Sequence, residues 1–268
     1  MCTLTWLHEP DGGYQLLFNR DELKTRQRAE LPRVHCAANG VEYIAPIDTD
    51  AGGTWIAVNT FGVTICLLND YRAPDPDIPA HLIRSRGEVV AKLGGCDSAD
   101  TVRQALENLT LQNYRGLRLV VFADDLRMWR WDTKNLLEVD GKEIVNPITS
   151  SSYDEVNVQK TRAAFFNSLD GENTIEKLLH FHSAHIDDEL CEISGEAVAV
   201  SSVCMHRTYS NTVSQCHVAV RHDAVSMAYT DGAPCQTRPG APLVLPRIIV
   251  ATAGSDYFPV SEAKLAVK

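Results

Sequence analysis

The order in which its hydrophobic periods change constrains this chain most. Up to residue 68 the apolar residues alternate or run in short strand-like blocks. Residues 3–7 and 14–18 flank Asp11-Gly12-Gly13, a turn signal, and read as a hairpin. Residues 42–47, 54–58 and 61–68 are three more candidate strands. The spacing then becomes helical at Leu82, Ile83, Arg86, Val89, Val90 and Leu93, and again at Val102, Ala105, Leu106 and Leu109 behind a cap at Asp97 or Ser98. Strands return at 118–123 and 126–131 around the turn Asp124-Asp125. Two helices follow, through Val158, Arg162, Phe165, Phe166 and Leu169 and then Ile175, Leu178, Leu179 and His182. Strands close the pattern at 197–201, 213–220 and 224–230, and a proline-rich tail after Gly232 is expected to lie over the surface. Blocks of strands with paired helices between them argue against a doubly wound parallel sheet. They imply an α+β chain, read as one domain over residues 1–268, with two mostly antiparallel sheets covered by helices. The pattern alone does not order the layers.

Composition narrows the function classes. The 268 residues are 44% hydrophobic and 22% charged, enough for a sizeable core and too little charge for wholesale disorder. A formal net charge of −10 repels phosphate backbones and anionic lipid surfaces, so nucleic acid is a poor partner. No run of apolar residues reaches the roughly 20 needed to span a bilayer, and the first residues lack the basic-then-apolar order of a secretory signal. A cytoplasmic location is therefore expected. The eight cysteines are scattered and form no CxxC pair, which reads as reduced thiols, with Cys66 a buried small hydrophobe.

Cys2 differs from the others by position. Removal of Met1 before a small residue would give Cys2 a free α-amine beside its own thiol. Such an amine titrates at roughly 7.7–8.0 and a thiol at about 8.5, so one residue can supply both base and nucleophile. Taken alone, a cysteine at position two is more often an accident at a frayed end. The second strand runs out in Asn19-Arg20-Asp21-Glu22, and the hairpin brings this segment back beside Cys2. Asp21 is placed to accept from the α-ammonium group and Arg20 to favour the thiolate. Neighbouring residues of a regular strand point to opposite faces, so a paired role for Arg20 and Asp21 requires a bend or bulge there. Gly52-Gly53-Thr54-Trp55 permits a close backbone approach, or is simply a tight turn with Trp55 as a core anchor. Asn69 ends an apolar strand and either donates to an oxyanion or caps the loop.

Met1-Cys2, Asn19-Arg20-Asp21-Glu22, Gly52-Gly53-Thr54-Trp55 and Leu68-Asn69, in this order and spacing, resemble the NRDE family, which includes transport and Golgi organisation protein 2. The likeness is strong over residues 1–72 and weaker at Ser150-Ser151-Ser152-Tyr153 through Arg162 and over residues 207–218. The resemblance implies a four-layer αββα sandwich of the N-terminal-nucleophile hydrolases. It implies Cys2 as nucleophile, as in penicillin V acylase and bile-salt hydrolase, with Arg20, Asp21 and Asn69 around it. Asn19, Thr54, Trp55 and Arg207 are then candidates for substrate contact. Those hydrolases use a further asparagine for the oxyanion; the comparable region here reads Thr149-Ser150-Ser151-Ser152, so that donor is unassigned.

The function expected is hydrolysis of a non-peptide C–N bond in a small amide or acyl substrate through a thioester at Cys2. The alternative is a non-catalytic carrier or chaperone for haem or for a lipid or acyl ligand on the same fold, which the family's eukaryotic member suggests. None of the histidine and cysteine clusters has a zinc-finger or HExxH spacing, so no metal site and no resident cofactor is expected, haem as a ligand apart. His182, on an apolar helix face, reads as a core histidine.

Overall fold

In the computed structural model, residues 2–169, 174–186, 191–193, 196–198 and 201–249 are described. The hairpin forms where the alternation places it. β1 (Cys2–His8) pairs antiparallel with β2 (Tyr14–Leu23), and Gly12 takes a φ of +86° in the turn between them. These two strands lie inside a six-stranded sheet. β10 (Ile148–Ser150) flanks β1; β13 (Ser210–Val220), β14 (Ala224–Thr230) and β15 (Leu243–Pro246) continue beyond β2.

The second sheet has seven strands in chain order: β3 (Glu30–Cys36), β4 (Glu42–Ile47), β5 (Ile56–Asn59), β6 (Thr64–Asn69), β7 (Leu117–Phe122), β8 (Leu126–Trp131) and β9 (Leu136–Glu138). Every pairing in both sheets is antiparallel. A separate two-stranded ribbon joins β11 (Cys191–Ile193) and β12 (Glu196–Val198).

Strand alternation sorts the core into three layers of contact. Leu4, Trp6, Leu16, Phe18, Cys216 and Val218 of the first sheet meet Ile44, Val58, Cys66 and Val120 of the second. The opposite face of the second sheet, with Ile65, Leu119 and Val121, packs on α1 (Gly87–Leu93) and α2 (Ala99–Glu107). The opposite face of the first sheet, with Leu7 and Leu17, packs on α3 (Glu155–Ser168) and α4 (Ile175–Ser183). The architecture is therefore αββα, as expected.

Local chemistry explains the helix ends. Ser98 caps α2: its hydroxyl accepts from the Thr101 N–H, and the Thr101 hydroxyl accepts from the Ser98 N–H. α1 is shorter than the apolar spacing suggests, because a separate single turn at Ala80–Leu82 takes the first part of that pattern. Five strands lie where none is expected: β3, β9, β10, β11 and β15. β3 is mostly exposed and lacks an apolar alternation, and β15 adds an edge strand within the proline-rich tail.

Candidate active site

β1 and β2 set Cys2 directly opposite Arg20, while β10 sets Ser150 on its other side. Cys2 and Arg20 belong to the residues that point between the two sheets. At the end of the strands this space opens into a cavity of about 330 Å³, lined by Cys2, Arg20, Asp21, Thr54, Trp55 and Asn69 among others. Six of the eight candidates thus line one cavity.

The Cys2 thiol is buried, and burial pushes its pKa up. The positive charge at the amino terminus opposes this shift, the Asp21 carboxylate adds to it, and a hydrogen bond from the Asp21 main chain and the charge of Arg20 oppose it further. The Cys2 N–H donates to the Ser150 hydroxyl at 3.0 Å. Ser150 thereby holds the atom that becomes the α-amine when Met1 is absent.

Arg20 is fixed from three sides. Its guanidinium lies 4.4 Å from the centroid of the Trp55 ring and pairs with Asp48 at 3.1 Å and Glu22 at 3.3 Å. Arg26 grips both Asp48 oxygens at 2.6 Å, so the carboxylate that holds Arg20 is itself held. A locked, desolvated guanidinium acts on the thiol without the reorganisation that water would impose.

Asp21 follows Arg20 on an unbroken strand, and its side chain takes the other face. Its Oδ1 accepts from the Thr212 hydroxyl at 2.6 Å. Burial raises its pKa against the pull of the amino-terminal charge, Arg162, Thr212 and Arg207. The bend or bulge expected in this strand is not there; a register shift lies instead in the partner strand, between Thr212 and Ser214, opposite Asp21 and Arg20. Asp21 therefore acts on the thiol in two opposed ways: its carboxylate charge raises the thiol pKa and its main-chain hydrogen bond lowers it.

Asn69 lines the cavity at the end of β6. One N–H of its amide donates to the Tyr71 hydroxyl at 2.9 Å, and an asparagine amide carries a second N–H. Behind it Asp70 is clamped by Arg130 at 2.5 Å and Arg72 at 3.7 Å. Burial disfavours the Asp70 charge, but its hydrogen bond and attraction to Arg130 outweigh this and lower its pKa. Thr54 turns its hydroxyl to the Ile56 carbonyl at 2.9 Å, so it shapes the wall through its backbone and methyl group.

A family model described as transport and Golgi organisation 2 matches residues 1–224. The chain belongs to the transport and Golgi organisation 2 family. A comparison with curated proteins finds no match. Among solved structures, a mutant conjugated bile acid hydrolase from Clostridium perfringens is similar at 13% identity and a TM-score of 0.49, over 96% of this chain and 99% of that one. A second variant of the same hydrolase gives 13% identity and a TM-score of 0.47 over the same shares.

Two residues expected to touch substrate in this transport and Golgi organisation 2 family member do not line the cavity. Asn19 has the opposite strand parity to Cys2's partner Arg20. Its amide donates to the carbonyls of His182 at 2.8 Å and Val203 at 3.3 Å, on the helix side of the sheet. Arg207 lies before β13, outside the lining, and acts on the site through its charge beside Asp21. Conversely, Arg86 lines the cavity although its sequence spacing reads only as helix face. Gly53 brings it there: a Cβ on Gly53 would lie 2.5 Å from the Gly87 carbonyl carbon, so only glycine lets α1 start against this wall. Arg86 donates to the Gly116 carbonyl at 3.2 Å and has no ion pair with a carboxylate among the described residues. No helix among the described residues is long and apolar enough to cross a membrane.

Proposed function

We propose that this protein is an N-terminal cysteine amidohydrolase that acts on a non-peptide C–N bond in a small acyl substrate. The observation that carries this reading is the placement of the Cys2 thiol at a cavity, opposite a locked Arg20, with its main-chain nitrogen on Ser150. In the Met1-free chain the α-amine takes the thiol proton, which relieves the cost of keeping a buried thiolate without a base. The thiolate attacks the carbonyl carbon, and the tetrahedral oxyanion takes the second Asn69 N–H. Collapse breaks the C–N bond, and the leaving amine takes the proton back from the α-ammonium. A thioester at Cys2 remains. Water attacks it with the α-amine as base, frees the carboxylic acid and restores the thiol. Arg86, a cation in the wall that no carboxylate pairs with among the described residues, favours acyl groups that carry a carboxylate or similar anion.

An electrophilic acyl probe tests this reading. The Met1-free protein is expected to take up one acyl group at Cys2, located by peptide mapping, and to lose it to water over time. Acylation at other cysteines with Cys2 untouched, or an equal reaction of protein that retains Met1, overturns it.

A further inference from the structure

Far along the chain from the hairpin, four side chains converge that no part of this chemistry uses. His185 follows α4, Cys204 and His206 lie before β13, and Cys235 follows β14. Their ligand atoms all fall within 4.8 Å of one another. His206 Nε2 is 3.1 Å from the Cys235 sulfur and 3.7 Å from the Cys204 sulfur. The rings of His185 and His206 are 5.2 Å apart between centroids. Sequence spacing gave no hint of this, because the four come from three separate segments.

We propose that His185, Cys204, His206 and Cys235 form a tetrahedral His₂Cys₂ site for a zinc-class divalent cation. Magnitudes favour the geometry. With Zn–S near about 2.3 Å and Zn–N near about 2.0–2.1 Å, the edges of such a tetrahedron are roughly 3.3–3.8 Å. One separation already falls in this range, and the widest must contract by about 1 Å. The donor set also fits: two imidazoles and two thiolates suit zinc, and two thiolates balance the divalent charge. The backbone has already assembled the ligands. The Cys204 N–H donates to the Ala184 carbonyl at 2.9 Å, which seats Cys204 beside His185. His206 is bridged to Asn211, and a tight turn closed on the Ala233 carbonyl presents Cys235. Cys204 is buried while both histidines are exposed, so the site opens to solvent and the cation has an entry path.

Four protein ligands leave no open position, which is the arrangement of a structural site. The cation would tie the end of α4 and the loop after β14 to the segment before β13. That segment carries Met205, whose N–H donates to the Thr212 hydroxyl at 2.8 Å, the same hydroxyl that holds Asp21. The site stands independently of any reaction at Cys2.

The rival use of these residues is a Cys204–Cys235 disulfide. Titration of the metal-stripped, reduced full-length protein with Co²⁺ separates the two. The proposal expects saturation at one equivalent, with the visible absorption of tetrahedral Co²⁺ and a sulfur-to-cobalt charge-transfer band that Zn²⁺ abolishes. Zn²⁺ should raise Tm. Cys235→Ser and His185→Asn, both away from the core, should fold as judged by circular dichroism and weaken Co²⁺ binding about tenfold or more. Cys36→Ser should leave the spectrum unchanged. A weak octahedral spectrum without the charge-transfer band overturns the proposal, as does a spectrum indifferent to Cys235→Ser. So does a Cys204–Cys235 disulfide found by peptide mapping in protein that takes up no Co²⁺.

Discussion

Cys2 and Arg20 are register partners in neighbouring antiparallel strands, and both side chains leave the sheet on the face between the two sheets. The guanidinium favours the thiolate while burial opposes it. Removing the charge and keeping the polarity, as in Arg20→Gln, should move the pH profile of Cys2 alkylation upward by about one unit, or about tenfold in rate near neutral pH. Arg20→Lys should move it less. Alkylation kinetics followed by intact mass measure this, and an unmoved profile in Arg20→Gln would show that the thiol does not feel Arg20.

Arg86 separates anionic from neutral substrates. It lines the cavity, and burial works against its charge, yet no carboxylate pairs with it among the described residues. Arg86→Gln should raise KM for an anionic acyl substrate about tenfold, the scale of one charge-assisted hydrogen bond. Turnover of a neutral analogue should fall far less. An equal loss with both substrates would assign Arg86 to the wall alone.

These relationships were unequally legible in the sequence. Alternation in residues 2–8 and 14–20 fixes which side chains share a face, so the Cys2–Arg20 pairing follows from the hairpin and its turn. The same alternation turns Asn19 away from the cavity, a consequence that its place beside Arg20 in the chain obscures. β3 left little signal because its exposed residues need no apolar period. Arg86 was hidden because its role depends on where α1 meets the Gly53 turn, a contact between Gly53 and Gly87, 34 residues apart. Ser150 was hidden for the same reason: its pairing with Cys2 joins β1 to β10 across 148 residues of chain.

Gly53 tests that contact directly. Its missing Cβ is what lets the wall close on Gly87, and the atoms it would strike are backbone, which cannot rotate away. Gly53→Ala should destabilise the protein by about 1–3 kcal/mol, the range for overpacking a tight interior site. It should also displace Arg86, so a rise in KM for the anionic substrate should accompany the fall in denaturation midpoint. A variant that loses neither would mean that α1 shifts without consequence.

His182 links the helix layer to pH. The ring is fully buried, and Nε2 shares a hydrogen bond with the Thr5 hydroxyl at 2.8 Å. Burial, then the charges of Arg162 and His217, push its pKa from 6.5 down to about 3. The folded protein therefore refuses a proton that the unfolded chain accepts below pH 6.5, so stability falls as pH drops through the window from 6.5 to about 3. The slope from this one group is about 1.4 kcal/mol per pH unit, or about 2 kcal/mol between about pH 7 and about pH 5. His182→Gln keeps a polar partner for Thr5 and cannot titrate. Denaturant unfolding at the two pH values should therefore show a smaller acid loss in His182→Gln than in the parent, by about that amount. Equal losses in the two proteins would mean that His182 takes up its proton in the folded state and that another group governs the acid limb.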